Sequence, residues 1–261
     1  MDLGITGRVA LVLGASGGLG GAIARTLAAE GARVALAGRN TERLRACADE
    51  IMAAGGQALV VVWDLADPAR ISSAIAEIET GLGPIDILIA NTGGPAPGPA
   101  AGQSPGNWRA GFETMVLSVI AITDALLPGM RARGWGRIVT STSAGVIAPI
   151  PNLALSNALR ASLVGWSKTL ASEVGRDGIT ANIVVPGRIT TERVAFLDAK
   201  KAEASGRSVE EISAESRATI PLGRYGRPSE YADMVCFLAS ERASYVNGAV
   251  IRVDGGMIPS L

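Results

Sequence analysis

A glycine-rich turn near the amino end of the chain has the residue types that bind phosphate. Gly14, Gly18 and Gly20 surround Ser16 and Leu19 in a G-x-x-x-G-x-G spacing. Glycine lets backbone N–H groups approach a pyrophosphate closely, and a helix that begins at the turn adds partial positive charge. Because the turn follows an apolar stretch and opens a helix-like one, it predicts a dinucleotide site. A tight turn without a ligand is the alternative.

A cation stands where many dinucleotide sites carry an acid. In NAD sites, an acid about 20 residues beyond the glycines binds the ribose 2′-hydroxyl. This chain instead has Arg39 and Asn40 at the corresponding place. Because an arginine there is suited to a 2′-phosphate, the sequence predicts NADP(H) in preference to NAD(H). An exposed arginine that binds nothing is the alternative.

Two more loops follow predicted strands, at the ends where open sheets bind their ligands. Asp64, followed by Leu65, could accept a hydrogen bond from an adenine amino group, and Asn91 with Gly93 could face the adenosine ribose. Turn residues of this kind also bond their own backbone, which is the alternative explanation. All four are therefore candidate cofactor-binding residues.

Histidine is absent from the chain, and tyrosine and lysine are rare. Without histidine, a Ser-His-Asp or Cys-His nucleophile and any histidine-ligated metal site are excluded, so we expect no metal cofactor. The tyrosines are Tyr225, Tyr231 and Tyr245, and the lysines are Lys168, Lys200 and Lys201. No tyrosine is followed four positions later by a lysine.

Charge and composition restrict the partners. Among 261 residues, 24 are basic and 24 acidic, so the formal charge is zero. Because phosphate binding is largely electrostatic, a neutral chain argues against nucleic acid and anionic membranes as partners. Apolar residues make up 48% of the chain, yet no apolar run reaches the roughly 18 residues of a membrane span. Cys47 and Cys236 are expected to be buried free thiols of a cytoplasmic protein.

Short apolar stretches alternate with helix-like ones along the whole chain. Strands are predicted over residues 8–13, 33–37, 58–62, 85–89, 137–141, 179–184 and 249–253. Helices are predicted over residues 18–30, 41–54, 68–79, 105–130, 152–174 and 229–239. This alternation is typical of an α/β fold, namely a Rossmann-type, doubly wound parallel sheet of about seven strands with helices on both faces.

No linker rich in proline, glycine or serine divides the chain, so residues 1–261 are predicted to form one domain. Residues 190–221 are polar and helix-prone, and they lie between the sixth strand and the last helix. We expect this segment to be a lid-like insertion over the site. A plain pair of surface helices is the alternative.

Five further motifs accompany the glycine turn, namely Asn91–Gly94, Gly136–Ser143, Val164–Leu170, Asn182–Gly187 and Val253–Met257. Together they resemble the short-chain dehydrogenase/reductase family, particularly its 3-oxoacyl-(acyl-carrier-protein) reductases. The resemblance extends over nearly the whole chain and implies the same Rossmann-type fold. It also implies a small-molecule substrate with a carbonyl or alcohol group and a homo-oligomer, either a tetramer or a dimer.

The resemblance implies roles for individual residues. Pro186, Gly187 and Ile189 would hold the carboxamide of the nicotinamide, with Thr191 nearby. Ser143 matches the active-site serine of the family, which hydrogen-bonds the carbonyl oxygen of the substrate.

Other catalytic residues of the family are replaced. Its general acid is a tyrosine followed four positions later by a lysine, but those positions hold Ser156 and Arg160 here. Its supporting asparagine aligns with Met115. Serine and arginine donate hydrogen bonds and stabilise negative charge, but they are poor proton donors. Because general-acid help is worth about 10²–10⁴-fold in rate, a reductase built this way is expected to be slow.

The sequence leaves three functions open. The first is an NADP(H)-dependent oxidoreductase in which Ser143 orients the substrate and Ser156 bridges to water. In it, Arg160 stabilises an oxyanion or binds a carboxylate or phosphate of the substrate. The second function is a non-redox lyase or isomerase on the same fold, and the third is a catalytically silent NADP(H)-binding subunit or sensor. Arg188 and Arg193, at the start of the lid-like segment, would favour an acidic substrate group.

Overall fold

Seven parallel strands form one sheet in the computed structural model of the chain, which describes residues 1–260. In chain order they are β1 (Val9–Leu13), β2 (Arg33–Gly38), β3 (Gln57–Val62), β4 (Ile85–Asn91), β5 (Gly136–Ser141), β6 (Ile179–Pro186) and β7 (Val250–Val253). Their order across the sheet is β3-β2-β1-β4-β5-β6-β7. The predicted Rossmann-type architecture is confirmed.

Within residues 1–260, nine α-helices connect or follow the strands. They are α1 (Gly18–Ala29), α2 (Thr41–Ala53), α3 (Arg70–Leu82), α4 (Pro105–Phe112), α5 (Ser118–Arg133), α6 (Ala154–Val174), α7 (Glu192–Ser205), α8 (Val209–Ala218) and α9 (Pro228–Leu238). Side chains of α3, α5 and α6 form the core on one face of the sheet, and those of α1, α2 and α9 form the core on the other. Helices therefore cover both faces of the sheet, and β1 is buried along its whole length. This explains its continuous apolar run, because a strand covered on both faces needs apolar side chains on both.

Helix α3 begins two residues later than the sequence predicts. The expectation that Pro68 lies in its first turn is wrong, because Asp67 holds a separate turn. The Oδ1 atom of Asp67 accepts the Ala69 N–H at 3.0 Å. The helix therefore starts at Arg70, and it ends before Gly83, whose φ is 100°.

The long helix predicted over residues 105–130 is interrupted. A single π-helical turn, Glu113–Leu117, separates α4 from α5. Such a turn inserts one residue into a helix and often occurs at functional sites. By length and composition, the stretch Pro105–Arg133 could cross a membrane. In this fold Val119 and Ile122 are fully buried in the core against the sheet, whereas Phe112 and Leu117 are exposed.

Helix α6 begins at Ala154 rather than at residue 152. Asn152 has a φ of 60°, which is uncommon for a residue with a side chain, so the chain turns before the helix starts. The carbonyl of Asn152 accepts the Gly98 N–H at 2.7 Å, and the Ala154 N–H donates to the Gly98 carbonyl at 3.2 Å. Main-chain bonds thus tie the proline-rich loop after β4 to the start of α6.

The segment over residues 190–221 contains α7 and α8, which pack against each other. A short parallel bridge between Ile189 and Gly226 closes its base. Side chains of α7, among them Arg193 and Leu197, line the cleft described below. One helix of the segment therefore borders the candidate site.

Both cysteines lie in the core. Cys47 on α2 and Cys236 on α9 are buried and free, as the sequence predicts. Burial raises the pKa of Cys236 to about 12, and it also raises the pKa of Cys47. Neither thiol is therefore appreciably ionised near neutral pH.

Candidate functional site

A cleft of about 890 Å³ opens at the carboxyl ends of the strands. It lies at β1 and β4, the neighbouring strands from which the chain winds in opposite directions across the sheet. Open sheets bind ligands at this position. The Nδ2 atom of Asn91 donates to the Leu13 carbonyl at 3.3 Å and so joins the two strand ends. Every candidate site residue named from the sequence lines the cleft, with the exception of Gly20.

The glycine turn is packed too tightly for side chains at two positions. Gly14 has a φ of 64°, and a Cβ atom there would lie 2.6 Å from the Asn91 carbonyl oxygen. A Cβ atom on Gly20 would lie 2.2 Å from the Gly14 carbonyl oxygen. Gly20 is therefore buried beneath the turn and allows α1 to approach it, rather than facing a ligand.

Helix α1 begins at this turn with its first N–H groups free of side-chain partners. Its N-cap is Gly17, no side chain caps it, and no acidic residue lies in its first turn. Ser16, Gly18 and Leu19 line the cleft beside it. Unpaired N–H groups and the helix dipole together form a favourable environment for an anion.

Two arginines lie near the end of β2. Arg39 is exposed at the rim of the cleft. Asn40 caps α2, because its Oδ1 atom accepts the Arg43 N–H at 3.0 Å. Arg43 extends across the cleft to α7, where its Nη1 atom lies 2.6 Å from Oε2 of Glu192. This hydrogen bond and the charge of Arg43 lower the pKa of Glu192.

Arg43 and Glu192 are residues of the site that the sequence did not reveal. Arg43 could have been identified by its position four residues after Arg39, in the first turn of α2. Nothing local pointed to Glu192, which lies 149 residues away along the chain. Their ion pair spans the mouth of the cleft.

The cleft beside β3 is lined by Trp63, Asp64 and Leu65. The Oδ1 atom of Asp64 accepts the Ala66 N–H at 3.1 Å, so this carboxylate already forms a turn. Trp63 is almost fully buried, and its indole N–H has no hydrogen-bond partner among residues 1–260. Trp63 is thus a further residue of the site that the sequence did not indicate, whereas Asp64 was a candidate.

On the other side, Pro186, Gly187, Ile189 and Thr191 line the cleft after β6. A Cβ atom on Gly187 would lie 2.5 Å from Cα of Asp254, so only glycine fits where these two chain segments meet. The Thr191 hydroxyl caps α7 by accepting the Val194 N–H at 3.4 Å. The start of α7 therefore lies over this part of the cleft.

Ser143 follows β5 and is half-buried at the cleft wall. Its hydroxyl oxygen accepts the Gly145 N–H at 3.2 Å, which leaves the hydroxyl hydrogen available to donate. Asn157 on α6 fixes the adjoining loop, because its side chain bonds both the N–H and the carbonyl of Ile150 at 3.3 and 2.9 Å. The loop therefore holds Ser143 in a defined position.

Ser156 and Arg160 lie one turn apart on α6, and both are buried at the cleft. Ser156 is 7% exposed, and what remains accessible of it lies at the cleft. Arg160 donates to three backbone carbonyls, those of Ser141, Thr92 and Gly93, at 3.2, 3.0 and 3.1 Å. Burial lowers the pKa of Arg160 to about 10, so it remains a cation at neutral pH.

In the part of the chain that the structure describes, no tyrosine lines the cleft. Tyr231 is fully buried on α9, where its hydroxyl bonds Ser141 at 2.8 Å and donates to Val184 at 3.2 Å. Burial raises the pKa of Tyr231 further above its ordinary value. Tyr225 donates to Asp198 at 2.7 Å, and Tyr245 is exposed. The cleft therefore has no phenol to deliver a proton.

Comparisons with known proteins decide the family. The profile described as Enoyl-(Acyl carrier protein) reductase matches residues 14–258. The 3-oxoacyl-[acyl-carrier-protein] reductase FabG of Escherichia coli (strain K12) is 36% identical over 253 residues, which cover 96% of this chain and 97% of FabG. The chain belongs to the short-chain dehydrogenase/reductase family.

Solved structures agree with this short-chain dehydrogenase/reductase assignment. L-Sorbose reductase from Gluconobacter frateurii, in complex with NADPH and L-sorbose, has a TM-score of 0.94 and 33% identity, with 100% of both chains covered. A variant of actinorhodin polyketide ketoreductase with NADPH has a TM-score of 0.92 and 35% identity, covering 96% of this chain and 97% of that one. The similarity therefore extends over the whole sheet and the segments that line the cleft.

Proposed function

We propose that this protein is an NADP(H)-dependent oxidoreductase that acts on a carbonyl or alcohol substrate through an active site lacking the family's tyrosine, lysine and asparagine. The continuity of one cleft carries the proposal. We call its two parts the cofactor end, formed by the glycine turn (residues 14–20), Arg39 and Arg43, and the substrate end, formed by Ser143, Ser156, Arg160 and Arg193. A cofactor bound at the first would reach a substrate bound at the second.

The cofactor end fits a phosphorylated nicotinamide dinucleotide. The uncapped start of α1 suits a pyrophosphate, and Arg39 with Arg43 supplies positive charge for a 2′-phosphate. L-Sorbose reductase, a relative of the same fold, was solved with NADPH, which supports the phosphorylated form. Such a cofactor supplies a hydride to the substrate carbon or accepts one from it.

At the nicotinamide, we assign the carboxamide to Pro186, Gly187 and Ile189, with Thr191 beside them. All four line the cleft, and Thr191 lies close to Gly18 of the glycine turn. Asp64, Leu65, Asn91 and Gly93 remain candidates for the adenosine. These assignments rest on family resemblance and position in the cleft.

The substrate end orients the carbonyl without a conventional acid. Ser143 donates a hydrogen bond to the carbonyl oxygen, and Arg160 stabilises the negative charge that develops there. With a pKa of about 10, Arg160 holds its proton at neutral pH, so its role is electrostatic. The hydride goes to the carbonyl carbon, and the carbonyl oxygen takes a proton from a water molecule that Ser156 binds. We expect reduction of simple ketones to be slow, because general-acid help of about 10²–10⁴-fold is missing.

The first test is a pair of titrations with NADPH and NADH, followed by turnover measurements with NADPH and a panel of ketones, aldehydes and imines. We expect tighter binding of NADPH and oxidation of NADPH in step with substrate consumption. If neither dinucleotide binds, the cofactor assignment is wrong. If NADPH binds but no member of the panel is reduced, the oxidoreductase assignment is wrong.

One observation favours a second candidate, a catalytically silent NADP(H)-binding subunit. No tyrosine lines the cleft within residues 1–260, whereas the cofactor end is intact. The double variant Ser156→Tyr with Arg160→Lys discriminates between the two. If the double variant turns over substrate and the natural chain does not, the silent subunit is supported. Turnover by a homo-oligomer of the natural chain excludes it.

We also propose that the chain forms a homo-oligomer, either a tetramer or a dimer, that acts in the cytoplasm on a small molecule. The family resemblance supports the assembly, and the zero formal charge supports the absence of nucleic-acid and membrane partners. Light scattering after gel filtration should give two or four times 26.6 kDa. A mass of one chain would contradict the proposal.

A further inference from the structure

Two arginines from different helices hold the same short segment, Thr92–Pro95, at the floor of the substrate end. Arg160 from α6 donates to the carbonyls of Thr92 and Gly93 at 3.0 and 3.1 Å. Arg193 from α7 donates to the carbonyl of Pro95 at 2.8 Å. Both arginines also line the cleft. Two positive charges therefore converge on one place.

Neither charge is balanced by a carboxylate. Within residues 1–260, Arg160 and Arg193 form no ion pair, whereas neighbouring Arg188 lies 2.6 Å from Asp198. Arg160 is only 6% exposed. The three backbone carbonyls that Arg160 bonds offset only part of the cost of removing its charge from water, because they carry no net negative charge.

The two cations also repel each other. Burial lowers the pKa of Arg160 to about 10, and the charge of Arg193 acts on it in the same direction. Burial lowers the pKa of Arg193 as well. The Thr92 hydroxyl, on the segment that both arginines hold, is buried without a hydrogen-bond partner in residues 1–260. An anion bound here would reduce the repulsion between the two arginines and would give both of them a partner of opposite charge.

Apolar side chains also line the cleft. Ile150 and Leu153 come from the loop that precedes α6, Leu197 comes from α7, and Met257 comes from the segment after β7. A ligand that fills this space would therefore place hydrocarbon against these side chains and negative charge against the two arginines. Arginine forks match the planar geometry of a carboxylate in particular.

We infer that the substrate carries a carboxylate that binds between Arg160 and Arg193, with its hydrocarbon part against Ile150, Leu153, Leu197 and Met257. That the bound molecule is the substrate rests on the proposed function, whereas the anion site itself rests on the two arginines that lack an ion pair. Cofactor phosphates also bring negative charge to the cleft. The test is therefore made both without cofactor and with NADP⁺ already bound.

Calorimetric titration with hexanoate, hexanamide and inorganic phosphate tests the inference without any turnover. We expect hexanoate to bind about tenfold more tightly than hexanamide when NADP⁺ is bound, as charge-assisted hydrogen bonds provide. Arg193→Gln should abolish this difference. Arg176→Gln, which removes an exposed charge beyond the far end of α6, should preserve it.

Equal binding of hexanoate and hexanamide would overturn the inference, as would a preference that survives Arg193→Gln. Tighter binding of inorganic phosphate than of hexanoate would also overturn it and point to a phosphorylated substrate. If Arg160→Gln fails to fold, Arg160→Lys keeps the charge and should retain part of the preference. If NADP⁺ does not bind, the proposed function fails, but the titration without cofactor still decides whether the anion site exists.

Discussion

The cofactor end of the cleft is shaped by backbone, whereas the substrate end is shaped by side chains that cross between distant elements. At the cofactor end, Gly14 and Gly20 let a strand, a turn and a helix meet within one short stretch of chain, and α1 begins at the cleft. At the substrate end, Arg160 reaches segments that precede it by 19 and 68 residues.

The difference shows which end of the cleft can vary more easily in sequence. A backbone turn permits little variation, since a side chain at Gly20 would collide with the main chain. A side chain on α6 can be exchanged while the helix stays in place. Under the proposed function, Ser156 and Arg160 can therefore set the chemistry of the substrate end without disturbing the cofactor end.

The largest expected effect comes from breaking the backbone geometry of the cofactor end. In Gly20→Ala, the new Cβ atom would lie 2.2 Å from the Gly14 carbonyl oxygen, so the turn must move. We expect the free energy of unfolding in urea to fall by about 1–3 kcal/mol. NADPH affinity should fall about a hundredfold, because the N–H groups are displaced.

Gly165→Ala is the matched control, because this glycine is exposed on α6 and a Cβ atom there would meet nothing within 4 Å. It should stabilise the helix slightly and leave NADPH affinity unchanged. Unchanged stability and NADPH affinity in Gly20→Ala would show that the turn tolerates a side chain at this position.

The next largest effect tests a side chain at the cofactor end. Arg39→Gln removes the charge available to a 2′-phosphate, and we expect NADPH affinity to fall about 10- to 100-fold. NADH affinity should not change, because NADH lacks that phosphate. Fluorescence titration measures both values, and Arg45→Gln, an exposed arginine on α2, serves as the control. Equal losses for both dinucleotides would contradict the assignment of Arg39.

A smaller effect concerns the ion pair that joins the two sides of the cleft mouth. Glu192→Gln frees Arg43 for the cofactor, so NADPH affinity should rise about two- to threefold at low salt and return to the natural value at high salt. Glu203→Gln breaks the exposed Lys200–Glu203 pair on the same helix and should have no effect. A fall in NADPH affinity in Glu192→Gln would show that the pair helps to hold the cofactor.

The smallest expected effect is no change at all. Because burial raises the pKa of Cys236 to about 12 and raises that of Cys47, neither native thiol should react with a disulfide reagent at pH 8. Both should react once the protein is unfolded, since the thiolate then forms readily near its ordinary pKa. If Cys47, which packs against α1, reacts faster without NADPH than with it, the cofactor end is not fully formed before binding.

The sequence predicted what depends on local pattern. The glycine turn, the order of strands and helices, and the neighbourhood of Ser156 and Arg160 on one helix face all follow from residues close together in the chain. The start of α3 was wrong because the Asp67 side chain holds a competing turn. The π turn could not be predicted because the chain is helix-like on both sides of it and nothing local marks where one extra residue is accommodated.

What could not be predicted depends on contacts between distant segments. The pairing of Arg43 with Glu192 and the hold of Arg193 on the Pro95 carbonyl join residues 149 and 98 positions apart. No spacing in the chain indicates such partners, because they meet only when the sheet and α7 are in place. Likewise, only the folded surroundings of Arg160 show that it has no carboxylate partner among the described residues.

The main-chain tie between Gly98 and the start of α6 has a practical consequence for redesign. Its two hydrogen bonds use backbone atoms of Gly98, Asn152 and Ala154, so they do not depend on the side chains of residues 99–101, which are exposed and do not line the cleft. Substitutions at those three positions should therefore leave thermal stability and dinucleotide affinity unchanged. This short stretch is a suitable place to attach a label or an affinity tag.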